Sequence, residues 1–464
     1  MAGRGRIGRG ALLAVALAGL PAAVGCGARH DRAEALVLVV VDTLRADRIF
    51  DPQVPRWRGA ALAPWLARAR VYDRAFASSP WTLPSFASIY TGHIPSRHGA
   101  GDVVRLGGEQ GFTAVAGPLE GSAGTLSEHL RDAGYATGAI VGNAALAPDF
   151  GFAQGFDTYD YTPASPSRML RADRVVERAL AFVDGTAGPF FLVVHFFDPH
   201  MNYDPPPHHR GRFTRQVPSQ RTLPVRARQR IARSPESVSQ EDRRFIAAAY
   251  DEEVAFVDEQ LARLLAGFED RGLLERGLVV LTSDHGEELF EHDGFEHGHA
   301  LWQEVVNVPL AFLGRDVVPG RDASPVSLVD LFPTLLEAGG VAPPEECDGV
   351  SLWSSLRAHR APPARSLFIE GTLYGPEQKA VVEWPHKLVW RPDSQEIALF
   401  DLARDPREQR PIRDDPATSA RLLERLRSET EAAAAARGDA PAADVTPETL
   451  DLLRQLGYAD DAGP

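Results

Sequence analysis

Three apolar runs in this 464-residue chain each end in residues able to hold a metal ion or move a proton. Leu36 to Val41 delivers Asp42, the run GLVVLTSDH at 277–285 delivers Asp284 and His285, and FFLVVHFFDPH at 190–200 delivers Asp198 and His200. Carboxylate and imidazole on consecutive residues, where a chain turns out of a strand, can reach one ion, and that donor mixture suits a hard or borderline divalent cation. The remaining chemical feature is Thr82, which precedes Leu83 to Tyr90, a segment with helical apolar spacing and Pro84 near its first turn. A threonine so placed is expected to cap the helix. It also lies beside the free N–H groups and positive dipole end of that helix, where a phosphate or sulfate would bind.

Unbroken apolar runs read as strands buried on both faces, and ligands of parallel α/β sheets bind beyond the carboxyl ends of the strands. The three strand ends should therefore meet on one edge. TLSEHLRDAGYATGAIVGN at 125–143 predicts a helix, a turn at Gly134 and a strand; Arg168 to Val183, Glu241 to Phe268 and Ser327 to Ala338 predict further helices. The expected fold class is α/β: a doubly wound, mixed but mostly parallel sheet flanked by helices. Alternating segments over 365–402 predict a small C-terminal antiparallel β subdomain, and 415–464 is helical in composition, broken at EAAAAARGDAPAAD before a short helix at 446–456. The expected divisions are a signal segment at 1–26, a catalytic domain at 33–345, the small subdomain at 346–412 and a helical, partly flexible tail at 413–464.

The formal charge of −14 makes nucleic acid a poor partner, and Cys26 and Cys347 alone supply no disulfide framework. Arg4, Arg6 and Arg9 precede an apolar stretch, Ala11 to Val24, that is short for a spanning helix and leads into AVGC at 23–26. That is the pattern of an export signal, and AVGC resembles a bacterial lipoprotein cleavage site. Lipidation of Cys26 would then anchor an exported protein in the cell envelope, on a periplasmic or surface face. The loop DHGEELFEHDGFEHGHALWQEVVNVP at 284–309 carries four histidines and seven carboxylates. Alone it would read as a solvated acidic loop; directly after the strand ending at Asp284, it reads as part of a metal site. The loop at 201–240 is expected to shape substrate entry.

VVVDTLRAD, TLPSFASIYTGHIPSRHG, TLSEHLRDAGYATGAIVGN, FFLVVHFFDPHMNYDPP, TSDHGEELFEHDGFEHGHALWQEVVNVPL and LFDLARDPREQ, in this order, resemble the sulfatase branch of the alkaline phosphatase superfamily over residues 35–458. The departures bear on chemistry. Where sulfatases carry Cys or Ser, any residue, Pro, any residue, Arg, this chain has Thr82, Leu83, Pro84, Ser85 and Phe86. Threonine cannot become formylglycine. The family's arginine is replaced by Phe86, its lysine and histidine after the following strand fall near Asn143 and Ala145, and its paired aspartates are Asp42 and Thr43. Asp284–His285 with a threonine nucleophile instead resembles the superfamily's phosphoester hydrolases, phosphonate hydrolases and phosphoryl transferases.

The resemblance and the residues together imply one divalent ion, Ca, Mn, Mg or Zn, on Asp42, Asp284, His285 and the Thr82 hydroxyl. Metal coordination would make that hydroxyl nucleophilic. The resemblance places His200 and His297 beside the transferred group, with His299 a second choice and Asn143 a lesser substrate contact; His195 reads as a strand residue. The expected substrate is an anionic ester. Three function classes follow: a phosphoester-type hydrolase or transferase working through phosphothreonine, a sulfatase using unmodified threonine, and a binding protein that kept the fold without turnover.

Overall fold

Ala35–Val41 (β1) has no polar face to offer solvent and forms a fully buried strand in an eight-stranded sheet. The structure, a computed structural model, describes residues 1, 3, 32–50, 61–108, 111–119, 121, 124–162, 170–217, 231, 234–437 and 445–456. Further strands are β2 (Arg70–Phe76), β3 (Val103–Gly108), β4 (Gly111–Ala116), β5 (Ala136–Val141), β6 (Thr158–Tyr161), β7 (Phe190–Phe196) and β8 (Gly277–Thr282). Then come β9 (Glu288–Leu289), β10 (Phe295–Glu296), β11 (Asn307–Gly314), β12 (Gly320–Ser327), β13 (Leu367–Ile369), β14 (Lys379–Glu383), β15 (His386–Arg391) and β16 (Glu396–Asp401). The large sheet runs β12-β2-β11-β8-β1-β7-β5-β6, and β11 alone is antiparallel to its neighbours. The expected α/β class, mixed and mostly parallel, is the one observed.

Alternate side chains of β1 enter two separate cores. Leu36, Leu38 and Val40 pack under the helices Thr82–Thr91, Leu126–Asp132 and Leu331–Ala338, while Val37, Val39 and Val41 pack under Ala172–Gly185 and Gln240–Glu269. This is the doubly wound arrangement. At about 25 cal/mol per Å² of apolar surface removed from water, a strand buried on both faces is a large local contribution to stability. The predicted α-then-β unit forms as read: Thr125 and Glu128 make a capping box, and Gly134 takes φ +86° before β5.

The strands β13 to β16 form the small antiparallel sheet. One face packs on the helix Pro416–Ala436 through Val381, Leu388, Leu422 and Leu426. The other packs on Leu301, Val305 and Val306, the end of the acidic loop. Buried Lys387 pairs with Glu408 and donates to the Leu301 carbonyl, while Glu408 accepts from the Gln303 backbone. The small sheet thus buttresses the loop that carries His285 and His297. Among the described residues no helix is long and apolar enough to cross a membrane.

Candidate active site

β7, β1 and β8 are adjacent and parallel, with Val41 opposite Phe196 and Val40 opposite Thr282. Residues just beyond these positions therefore share one edge, and Asp42, Asp284 and His285 meet there, all fully buried. After Asp42 the chain turns through Thr43 at φ +57°, a left-handed conformation that costs a β-branched residue about 1–3 kcal/mol. Tyr250 holds that turn: its hydroxyl donates to the Thr43 carbonyl (2.8 Å) and accepts from the Arg45 N–H (3.1 Å). Arg45 in turn binds Asp47, Glu291 and the Glu287 carbonyl, tying the turn to the acidic loop.

Thr82 does not cap its helix. Trp81 occupies the cap position, Thr82 is the first helical residue, and its hydroxyl is drawn instead to the strand ends. Oγ1 lies 3.3 Å from His285 Nε2 and accepts from Asn143 Nδ2 at 3.2 Å. Ser85, one turn on, donates to the Asp284 carbonyl (2.6 Å) and so fixes the helix against the end of β8. Asn143 follows β5 and has one orientation open to it. Its oxygen accepts from the Ala145 N–H (2.9 Å), so its amide hydrogens face Thr82 and Asp42 Oδ2, the latter at 2.6 Å.

The His285 Nδ1 lies 2.9 Å from the Gly286 carbonyl. A carbonyl only accepts, so Nδ1 carries the proton and the Nε2 lone pair faces Thr82 and the carboxylates. That nitrogen stands 3.6 Å from Asp42 Oδ1 and 3.5 Å from Asp284 Oδ2, beyond good hydrogen-bond length. Both oxygens are buried without a hydrogen-bond partner. Such spacing between lone pairs matches the edges of a coordination shell with bonds of ~2–2.5 Å, and buried orphan carboxylate oxygens are what a bound cation would satisfy. The residues present therefore fit a divalent ion. One ligand atom from each of Asp42, His195 and Asp284 also lies within 4.8 Å of the other two, which brings in a residue that sequence reading left in its strand. His195 Nε2 is 3.5 Å from Asp42 Oδ2, its ring packs on Phe86, and neither ring nitrogen has a hydrogen-bond partner. The available signal was a lone polar residue inside β7.

Electrostatics separate the two carboxylates. Burial alone would raise Asp42, but His200, His195 and His285 hold it down at about 2. Burial raises Asp284 to about 6 and the Asp42 charge adds to this, against opposition from His285 and His195.

Of the other predicted residues, His200 and His297 join the cluster. The His297 ring centroid lies 4.4 Å from that of His285 and 5.1 Å from that of His200. His297 Nδ1 is 2.8 Å from the Glu287 carboxylate, which also accepts from the Tyr203 hydroxyl at 3.1 Å. His200 Nδ1 is 2.9 Å from the Met201 carbonyl. Glu287 and Tyr203 were hidden in the acidic loop and the entry loop. His299 is placed elsewhere: its Nε2 lies 2.8 Å from Glu288, which also accepts from the His292 and Gly294 backbones. Asp198 accepts from the Ala172 N–H (2.8 Å) and anchors a helix start. Cys26 lies outside the described residues.

A helix-borne hydroxyl thus lies among carboxylates and imidazoles at the carboxyl edge of a doubly wound sheet. A family model described as "Sulfatase" matches residues 35–341, and the chain belongs to that family. It is 34% identical over 183 residues to "Arylsulfatase K" of Xenopus laevis, a match covering 37% of this chain and about a third (34%) of that protein. It is 24% identical over 442 residues to "Choline-sulfatase" of Rhizobium meliloti, covering 82% of each. Among solved structures, the "Phosphonate Monoester Hydrolase of Agrobacterium radiobacter" superposes with a TM-score of 0.69 at 19% identity, over 86% of this chain and 96% of that one. The fold is thus shared by proteins named for sulfur and for phosphorus chemistry.

Proposed function

We propose that this sulfatase-family hydrolase cleaves phosphate or phosphonate esters, or transfers their phosphoryl group, through a covalent intermediate on Thr82. The observation that carries the reading is an unmodified threonine hydroxyl within 3.3 Å of His285 Nε2 and of the Asn143 amide, beside two orphaned carboxylate oxygens. Asp42, Asp284 and His285 would hold a divalent ion with Thr82 Oγ as a further ligand, and His195 stands within reach. The nitrogen donors favour Mn or Zn over Ca or Mg. When bound, the ion supplies the charge that makes the Thr82 hydroxyl acidic enough to react as an alkoxide.

Thr82 Oγ then attacks phosphorus in line, forming the O–P bond as the bond to the leaving oxygen breaks. Asn143 orients Oγ, and the helix N-terminus with the His200 and His297 imidazoles faces the equatorial oxygens. His297, its Nδ1 proton retained by Glu287, exchanges a proton at Nε2: it protonates the leaving oxygen, then takes a proton from the water or acceptor alcohol that attacks phosphorus and releases Thr82. A sulfothreonine lacks the second hydroxyl by which a formylglycine diol expels sulfate, so sulfate ester hydrolysis on Thr82 is the second reading, favoured by the relatives' names. A binding protein without turnover is the third. Chromogenic phosphate esters, phosphonates and sulfate esters, assayed with and without chelation, decide among them: phosphorus esters turned over faster than matched sulfate esters support the proposal, and a clear preference for sulfate esters overturns it.

We propose further that the protein is exported and lipid-anchored at Cys26. The support is the arginine-led apolar segment ending in AVGC. Cys26→Ser should release the protein from membranes with its specific activity intact; unchanged membrane association counts against the anchor.

A further inference from the structure

His208 and His209 follow three consecutive prolines in the loop after β7, apart from the contacts made around Thr82. The Pro206 carbonyl accepts from the His209 N–H (2.9 Å) and the Arg210 N–H (3.1 Å). In this tight turn the two imidazoles stand together, their ring centroids 4.5 Å apart, and both pack on Phe256 of the helix Gln240–Glu269. Glu259 lies three residues further along that helix, on the same face. Its Oε2 is 3.1 Å from His209 Nε2, and one ligand atom from each of His208, His209 and Glu259 lies within 4.8 Å of the other two. Glu252 fixes the backbone beside these rings, accepting from the N–H groups of Gly211 (3.0 Å), Phe213 (2.7 Å) and Thr214 (2.8 Å).

Two features set this group apart from a surface ion pair. His209 is buried, 2% exposed, and its Nδ1 has no hydrogen-bond partner, so nothing in the protein offsets the desolvation of that atom. His208 is exposed and lines an open cavity of about 400 Å³, with room for the waters that complete a coordination shell. The arginines of the same turn are engaged by carboxylates: Arg210 pairs with Asp204, and Arg212 lies 4.0 Å from Glu259 Oε1, the oxygen that His209 does not use. Zinc–nitrogen bonds of about 2.0–2.1 Å set ligand atoms about 3.3–3.4 Å apart in a tetrahedral shell. His209 and Glu259 stand close to that separation, and His208, exposed on its turn, is free to close on them.

We infer that His208, His209 and Glu259 form a second metal site, which selects a borderline divalent cation such as zinc through its two nitrogen donors. The loop so tied to the helix carries Met201 and Tyr203, the partners of His200 and Glu287. The ion is thus a staple for the entry loop, and it does not depend on the chemistry assigned to Thr82.

The test uses untagged, full-length protein, stripped by chelation, dialysed against zinc and counted by elemental analysis. His208→Ala should hold one equivalent fewer than the parent, and Asp284→Ala/His208→Ala one fewer than Asp284→Ala, so the loss is read whether or not the Asp284 centre is filled. Glu259→Gln should weaken zinc binding to Asp284→Ala by about tenfold or more in calorimetry. Glu259 is 47% exposed and His208 is exposed, so both variants should fold. Zinc added to Asp284→Ala should slow amide exchange over residues 206–214 by about tenfold, with no such change in the double variant. Equal zinc in His208→Ala and the parent overturns the site. Loss of the equivalent with exchange unaltered upholds the site and overturns the staple.

Discussion

Glu370 and the Asp42–Asp284 pair are all buried carboxylates, and their surroundings differ in kind. Glu370, between the small sheet and the helix Pro95–His98, accepts from the Ser96 N–H (2.7 Å), the Ser96 hydroxyl (2.5 Å) and Lys379 Nζ (3.0 Å). Both its oxygens are occupied and its charge is matched. Asp42 and Asp284 each keep one buried oxygen with no hydrogen-bond partner, and they face imidazoles at 3.5–3.6 Å. An unsatisfied buried charge is costly, and what sets these two apart from other half-open carboxylates is that their orphaned oxygens converge on one imidazole nitrogen, His285 Nε2, at a spacing that one cation could fill. The first arrangement is architecture; the second is a site.

The largest expected effect falls on the hydroxyl. Thr82→Ala should lower turnover by at least ~10³-fold while metal content stays near that of the parent, because the carboxylates and imidazoles remain. Mass spectrometry of protein quenched during turnover should find the added phosphoryl on the Thr82 peptide and not on Ser85 or Ser88. Those two hydroxyls are engaged with the Asp284 carbonyl and His98.

Next comes the carboxylate. Asp284→Ala should reduce metal affinity by on the order of 10²-fold, read by elemental analysis, and full occupancy would refute its assignment as a ligand. In the metal-free protein Asp284 keeps its proton up to about pH 6. Ion and proton compete for the same oxygen, so affinity should be flat above that pH and fall by about tenfold per unit below it.

Glu287→Gln should cost roughly 10–100-fold in kcat, since the amide oxygen can still accept from His297 Nδ1 but no longer supplies the negative charge that favours the doubly protonated ring. The loss should grow with the basicity of the leaving group and nearly vanish for dinitrophenyl esters, which depart without a proton. A loss equal for all leaving groups would show that Glu287 only shapes the loop. Glu370→Gln supplies the contrast. It should lower stability by about 2–4 kcal/mol, seen as a reduced Tm, with kcat unchanged.

The centre of this molecule was legible because β1, β7 and β8 are apolar on both faces, and such strands have one place to go. Their ends then bring Asp42, Asp284 and His285 together by register alone. β2 and β12 escaped notice because they are polar: Arg70 lies buried within the sheet only because Asp322 of β12 pairs with it at 2.8 Å, a partner 252 residues away. His195 escaped for a related reason. One polar residue in a strand has no visible purpose until the register sets it opposite Val40, two residues before Asp42. Thr82 read as a cap because capping is a local interaction, whereas its partners come from β5 and β8.

The smallest effect concerns His299, the second choice of the sequence reading. Burial lowers its pKa, but the bond to Glu288 outweighs this and leaves it raised; Glu288 is correspondingly held below its ordinary range. A histidine whose folded pKa is raised contributes stability that is fully present below its unfolded value, near 6.5, and lost as pH rises through the folded value. Glu288 adds stability above its own unfolded value, near 4.5, that is lost under more acidic conditions. The pair should therefore matter most around pH 5–6. His299→Gln should lower stability by about 1 kcal/mol at pH 6 and by less at pH 9, with kcat within about twofold of the parent at both. Glu288 would keep its backbone bonds to His292 and Gly294, so the β9–β10 hairpin should persist. A tenfold fall in kcat with unchanged Tm would instead move His299 into the site and add a further imidazole to the cluster of His200, His285 and His297.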